Sequence, residues 1–140
     1  MRESGRRSQL LELLKPLHAV AIENSLGDGG TPDLNCTAGW IEIKQLPSWP
    51  IRPDTVVRPP HFEPEQRHFL RTRCSQGGNA WMMLVVGNTW NLVWGLSAAV
   101  HVGVDWVTAD YQLAANDRMH WSTKPDVGSL IRALMLRRWG

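Results

Sequence analysis

Two acids and a lysine, Asp33, Glu42 and Lys44, stand close together in the stretch GTPDLNCTAGWIEIKQ, Gly30 to Gln45. A hairpin folded about Thr37-Ala38 pairs Asn35 with Trp40, Leu34 with Ile41 and Asp33 with Glu42. Side chains alternate along a strand, so Asp33, Glu42 and Lys44 share one face. Leu34, Cys36, Ile41 and Ile43 take the other face, where they can pack in a core. A slip of one residue would reverse that arrangement, and the apolar pattern therefore supports this register. Thr-Ala is poor chemistry for a two-residue loop. A four-residue loop from Cys36 to Gly39 preserves the same pairing.

Like charges directly opposed across two strands destabilise the pair. One remedy is a shared proton, with one pKa raised. The other is a hard divalent cation, and oxygen ligands with open water positions suit Mg2+, with Mn2+ as a substitute. Such an ion can polarise a phosphate, activate water and balance charge on a leaving oxygen. Lys44, two residues beyond Glu42, stands where it can orient the water or steady the pentacovalent phosphorus. The competing reading is a surface hairpin with a Glu–Lys pair. Pro-Asp alone carries little, since Pro53-Asp54 and Pro125-Asp126 repeat it with no Glu-x-Lys following.

The elements that must position these groups read as follows. Ser8 to Leu17 has leucines near helical spacing, with Ser8 as N-cap and Pro16 as stop. His18 to Asn24 alternates like a strand, and a glycine-rich loop leads to Pro32. Strands at Asp33–Cys36 and Trp40–Lys44 precede a proline-rich loop at 46–64, which holds six of the nine prolines. That loop can be neither helix interior nor central strand. Pro64 opens a helix that ends at Gly77-Gly78, the expected asymmetry of proline first and glycine last. AWMMLVV and WNLVWG form a hairpin of two apolar strands about Gly87-Asn88-Thr89. TADYQLAA reads as a short helix and STKPDVGSLIRALMLRRW as a longer one, starting near Ser122 or Thr123. The expected fold is α/β: a mixed sheet flanked by helices, in the order α-β-β-β-α-β-β plus C-terminal helices.

The 140 residues suit a single domain spanning 1–140, with a real core. A composition of 43% hydrophobic and 20% charged residues excludes a disordered or membrane-spanning chain. The net charge of +2 discriminates little, but 12 Arg against 3 Lys favours groups that grip phosphate oxygens in pairs. Compositional bias of the source explains that ratio equally well. Cys36 and Cys74 form neither a CxxC pair nor a Cys/His cluster, so zinc and a disulfide framework are not indicated. The apolar run near the N-terminus is broken by Glu12, Lys15 and Pro16, and gives no secretory signal or membrane span. A reduced, cytoplasmic setting is the expectation.

Pro32-Asp33, a short gap, then Glu42-Ile43-Lys44 resembles the PD-(D/E)xK nuclease signature. The wider pattern from about Ala19 to Gly87 is similar to small phage and bacterial endonucleases of the VRR-NUC and Holliday junction resolvase-like group. The resemblance implies a restriction-endonuclease-like core and Mg2+-dependent hydrolysis of DNA phosphodiesters that leaves 5′-phosphate and 3′-hydroxyl ends. Branched DNA is the implied substrate and a homodimer suits paired incisions. It assigns Asp33 and Glu42 to the metal, with the backbone carbonyl of Ile43 as a further ligand. Lys44 matches the catalytic lysine. Gln66 matches a glutamine beside the active site, and a solvent-facing helix residue is its alternative. Relatives often supply another acid from the first helix. Glu3, Glu12 and Glu23 compete for that place, and Glu23, nearest the glycine loop, is the choice. The strand after Gly78 reads AWMMLVVGN, without the Val-Arg-Arg-like element of the VRR-NUC subgroup.

Arg67 and Arg71, four apart on the Pro64 helix, are candidate phosphate contacts, although a solvated face explains that spacing as well. Arg52 and Arg58, with His61, lie in the proline-rich loop, whose preset extended backbone costs little entropy to order on DNA. Arg132, Arg137 and Arg138 make the last helix basic. Trp81, Trp90 and Trp94 are expected in the core or at an oligomer contact, and Trp49 is either a base-stacking group or a loop anchor. No histidine receives a catalytic role. Two other readings stand beside the nuclease: an inactive nuclease-fold module that only binds nucleic acid, and a structural or virion protein with an incidental acidic hairpin.

Overall fold

The computed structural model describes residues 3–22 and 30–136. Helix α1 (Glu3–Leu13) is followed by a 3-10 turn at Lys15–Leu17 and strand β1 (Val20–Ala21). Strands β2 (Leu34–Cys36) and β3 (Gly39–Leu46) form a hairpin, and α2 (Pro64–Ser75) follows the long loop. Next come β4 (Ala80–Val86), β5 (Thr89–Trp94), α3 (Gly95–His101), α4 (Thr108–Gln112), β6 (Arg118–Trp121) and α5 (Val127–Leu136). The six strands make one mixed sheet in chain order, antiparallel throughout except for the parallel pair β3 and β4. The chain is therefore α/β, with helices on both sides of the sheet. Among the described residues no helix is long and apolar enough to cross a membrane.

The two sheet faces carry separate cores, as strand alternation requires. Leu10, Leu13 and Leu14 of α1 and Leu130 and Leu134 of α5 pack on Leu34, Ile41, Ile43, Met83 and Leu92. On the opposite face, Leu70 of α2 and Ala98 and Ala99 of α3 cover Met82, Leu84 and Val93. Every residue of β4 is buried, as its unbroken apolar run demands for a central strand covered on both faces.

Several elements depart from the sequence expectation. Helix α1 starts upstream of Ser8, because the buried Arg6 guanidinium donates to the Gly87 carbonyl at 2.7 Å and ties the helix to the β4–β5 turn. Among the described residues the first strand is two residues long, since His18 sits in left-handed backbone (φ 57°) and closes the 3-10 turn, and residues 23–24 of the expected strand lie outside the described residues. Leu46 belongs to β3, so the proline-rich loop begins at Pro47. Helix α5 starts at Val127 rather than near Ser122. Asp126 is its cap, with its carboxylate accepting the Ser129 N–H at 3.0 Å. Two elements, α3 and β6, extend the expected order.

The hairpin that carries the site has the expected register, Leu34 to Ile41 and Asn35 to Trp40, and closes at Cys36 and Gly39 around Thr37-Ala38. Two tertiary contacts support this unfavourable loop. The Thr37 N–H and hydroxyl both donate to the Leu17 carbonyl, at 2.8 and 2.9 Å. Gly39, at φ 137°, lies so close to Asn79 that a Cβ would stand 2.3 Å from its carbonyl oxygen. Only glycine meets both demands.

Candidate active site

Continuing the β2–β3 ladder by one residue places Asp33 opposite Glu42, and by two places Pro32 opposite Ile43. Proline has no N–H, so Pro32 cannot donate to the Ile43 carbonyl. The Ile43 N–H goes to the Asp33 side chain instead of a strand carbonyl, with Oδ2 accepting it at 2.7 Å. Along a strand, the N–H and C=O of one residue point to the same side. The Ile43 carbonyl thus also faces Pro32, which has no proton to offer it. On the other side of β2, the Asp33 carbonyl accepts the Ile22 N–H at 2.9 Å, which holds the Asp33 backbone in place.

Glu42 and Lys44 project from β3 toward α2, level with Met82 and Leu84 of β4. Both are buried, at 2% and 3% exposure. Their charged atoms, Oε1 and Nζ, lie 3.6 Å apart. Lys44 Nζ also donates to the carbonyl of His61 in the proline-rich loop, at 2.8 Å. From α2, Gln66 Nε2 donates to Glu42 Oε1 at 3.3 Å. The amide orientation is fixed from its other end, where Gln66 Oε1 accepts the Glu63 N–H at 2.9 Å as part of the helix cap.

Glu42, Lys44 and Gln66 are therefore in direct contact, and Asp33 is bound to the backbone between the first two. Each acid has its own partner: Lys44 and Gln66 for Glu42, and a peptide N–H for Asp33. These partners accompany a buried Glu42 and a half-buried Asp33. A buried ion pair is costly to desolvate and contributes little net stability.

The donor set fits a hard divalent ion. Two carboxylates and the Ile43 carbonyl supply oxygen alone, and magnesium is commonly held by one or two carboxylates with the rest of its shell from water and phosphate. Among the described residues no group of three or more His, Cys, Asp or Glu side chains is placed to hold a metal. Glu23, chosen as the extra acid, lies outside the described residues. Glu12 is exposed and paired with Lys15 at 3.2 Å. The Ile43 side chain is in the α1-side core, so only its backbone can serve the site.

The arginines divide. Arg52 and Arg58 on the loop and Arg71 on α2 are exposed and free to meet a polyanion. Arg67 instead packs α2 against α3: its guanidinium donates to the Ala99 carbonyl at 3.2 Å and lies over the Phe62 ring at 4.2 Å. Burial pushes its pKa down. Trp49 rests against Tyr111, with ring centroids 5.6 Å apart, and anchors the loop. Sequence reasoning missed the carbonyl of His61, because side-chain identity carries no sign of where a backbone oxygen points. It also missed a buried polar row beyond the site, in which Asn91 Nδ2 donates to the Leu84 carbonyl and Asn91 Oδ1 lies 2.6 Å from His120 Nδ1. Comparison of the chain with protein-family models, with curated proteins and with solved structures finds no match.

Proposed function

We propose that this chain is a magnesium-dependent DNA endonuclease with a PD-(D/E)xK core of the restriction-endonuclease-like type. The observation that carries the reading is a single arrangement. Buried Glu42 and Lys44 on one sheet face meet half-buried Gln66 from α2, while Asp33 caps the adjoining backbone beside the Ile43 carbonyl. An incidental surface hairpin would have left Glu42 and Lys44 in water, where such pairs cost little.

In this mechanism Asp33, Glu42 and the Ile43 carbonyl would hold the ion. When bound, magnesium supplies polarisation of the phosphate and charge neutralisation. Lys44 has three N–H donors. One is committed to His61 and one faces Glu42, which leaves a third for the attacking water or a phosphate oxygen. Gln66 holds Glu42 in place from the helix side. The water oxygen attacks phosphorus in line, the bond to the 3′ oxygen breaks, and that oxygen takes up a proton. The products are 5′-phosphate and 3′-hydroxyl ends. Exposed Arg52, Arg58 and Arg71 bind flanking phosphates. Branched DNA is the proposed substrate, and a homodimer would pair the cuts.

The test is incubation with junction, flap, single-stranded and linear DNA, with magnesium or manganese and with chelator. Cleavage that needs the metal and falls about 10²-fold or more in Asp33→Asn supports the enzyme. Binding without cleavage turns the reading into an inactive module, and no interaction with any DNA overturns it.

A further inference from the structure

We infer that His61 is a positioning residue for Lys44, and that it acts through its main-chain carbonyl rather than its imidazole. The inference rests on the nuclease reading of Lys44. His61 is one of two non-glycine residues in left-handed backbone among the described residues, at φ 60°. L-residues adopt that region at an energetic cost, and such strain persists only where the surroundings enforce it. Here the result is visible: the peptide oxygen of an exposed loop residue points inward and accepts the buried Lys44 ammonium at 2.8 Å.

The loop around His61 is built to hold that turn. Pro59 is buried, and the Val57 N–H upstream donates to the Trp106 carbonyl at 3.0 Å with its side chain fully buried. Downstream, Phe62 lies under Arg67, and Pro64 begins α2. Val56 bridges to Val107. Both sides of His61 are thus fixed to the α2, α3 and α4 layer. A lysine on a flexible four-carbon stem has many rotamers. An acceptor fixed in space removes most of them and aims the remaining N–H bonds, which is the preorganisation that electrostatic catalysis needs. The imidazole itself is exposed.

The experiment is a backbone-propensity series on the full chain: His61→Gly, His61→Asn, His61→Ala and His61→Val. Glycine and asparagine enter left-handed backbone readily, alanine less so, and a β-branched valine least. The first readout does not depend on activity. The chain has three lysines, and Lys15 and Lys124 are exposed, so a 15N-lysine NMR spectrum gives one exchange-protected ammonium signal, from Lys44. That signal is expected to weaken in the order Gly and Asn, Ala, Val, whatever the fate of the imidazole. The second readout is cleavage kinetics. His61→Val is expected to lower kcat at least tenfold with KM for DNA unchanged, and the loss is rescued in His61→Asn and His61→Gly. Should valine prevent folding, the Ala to Asn comparison carries the same test. Equal protected signals and equal kcat across the folded variants overturn the inference. So does a loss in His61→Gly, which would point to the imidazole. A wild-type chain that cuts no DNA overturns the nuclease reading instead, and the Lys44 signal separates that result from a failed positioning contact.

Discussion

The carboxylate of Asp33 accepts the N–H of Ile43 at 2.7 Å, at the point where Pro32 breaks the ladder. A proline and an aspartate in sequence thus do linked work. The first withholds a donor from the Ile43 carbonyl, and the second takes up the Ile43 N–H. Asparagine retains an oxygen that can accept the same N–H, so Asp33→Asn should fold with stability within about 0.5 kcal/mol of wild type. Its cleavage rate should fall on the order of 10²- to 10³-fold, the scale of removing one charge-stabilising group from a site. Asp33→Ala leaves a peptide N–H bare and should cost about 1–3 kcal/mol more in urea unfolding.

Lys44 and Glu42 form a buried pair at 3.6 Å. Lys44→Met should lower unfolding stability by about 3–5 kcal/mol, because Glu42 is left charged in a dry environment. Adding Glu42→Gln should recover part of that loss, so that the double variant is more stable than the sum of the singles. A double-mutant cycle in chemical denaturation measures it. Strict additivity would show that the two charges do not interact.

Gly39→Ala asks the hairpin to place a Cβ 2.3 Å from the Asn79 oxygen at a φ of 137°. A loss of roughly 1–3 kcal/mol is expected. The substitution also moves β3 relative to the β4 entry, since the Trp40 N–H donates to that same Asn79 carbonyl at 3.0 Å. Thermal unfolding should show the loss, and an unchanged Tm would count against the close approach.

Burial lowers the pKa of His120 below its ordinary 6.5. Asn91 Nδ2 is committed to the Leu84 carbonyl, so Asn91 Oδ1 faces the ring and His120 donates to it from Nδ1. A folded pKa below the unfolded one means the contribution is complete above about pH 6.5 and is lost as pH falls through the folded value. Melting temperature should therefore drop from about pH 7 toward pH 5. His120→Asn, whose amide can replace the Nδ1 donor, should flatten that part of the profile.

The chemical side chains were legible because their positions follow strand alternation and helix capping. The register of Leu34 against Ile41 put the acids and Lys44 on one face, and Pro64 with Gly77-Gly78 bounded the helix that delivers Gln66. The segments RMHW and GLSAAVH were not legible. The strand β6 is four half-buried residues whose pairing is imposed by the exposed edge of β5, not by their own pattern. Helix α3 opens on Gly95, which looks like a terminator. It is glycine because a Cβ there would stand 2.5 Å from the Ala80 carbonyl oxygen. Local sequence cannot report a requirement set by a neighbouring strand.

Gln66 has one amide and two employers: its oxygen completes the first turn of a helix, and its nitrogen reaches an acid on a strand 24 residues earlier. Formation of that first turn and placement of the Glu42 carboxylate are thereby linked through one side chain. Hydrogen exchange at the opening turn and at the Glu42 strand should slow together during refolding.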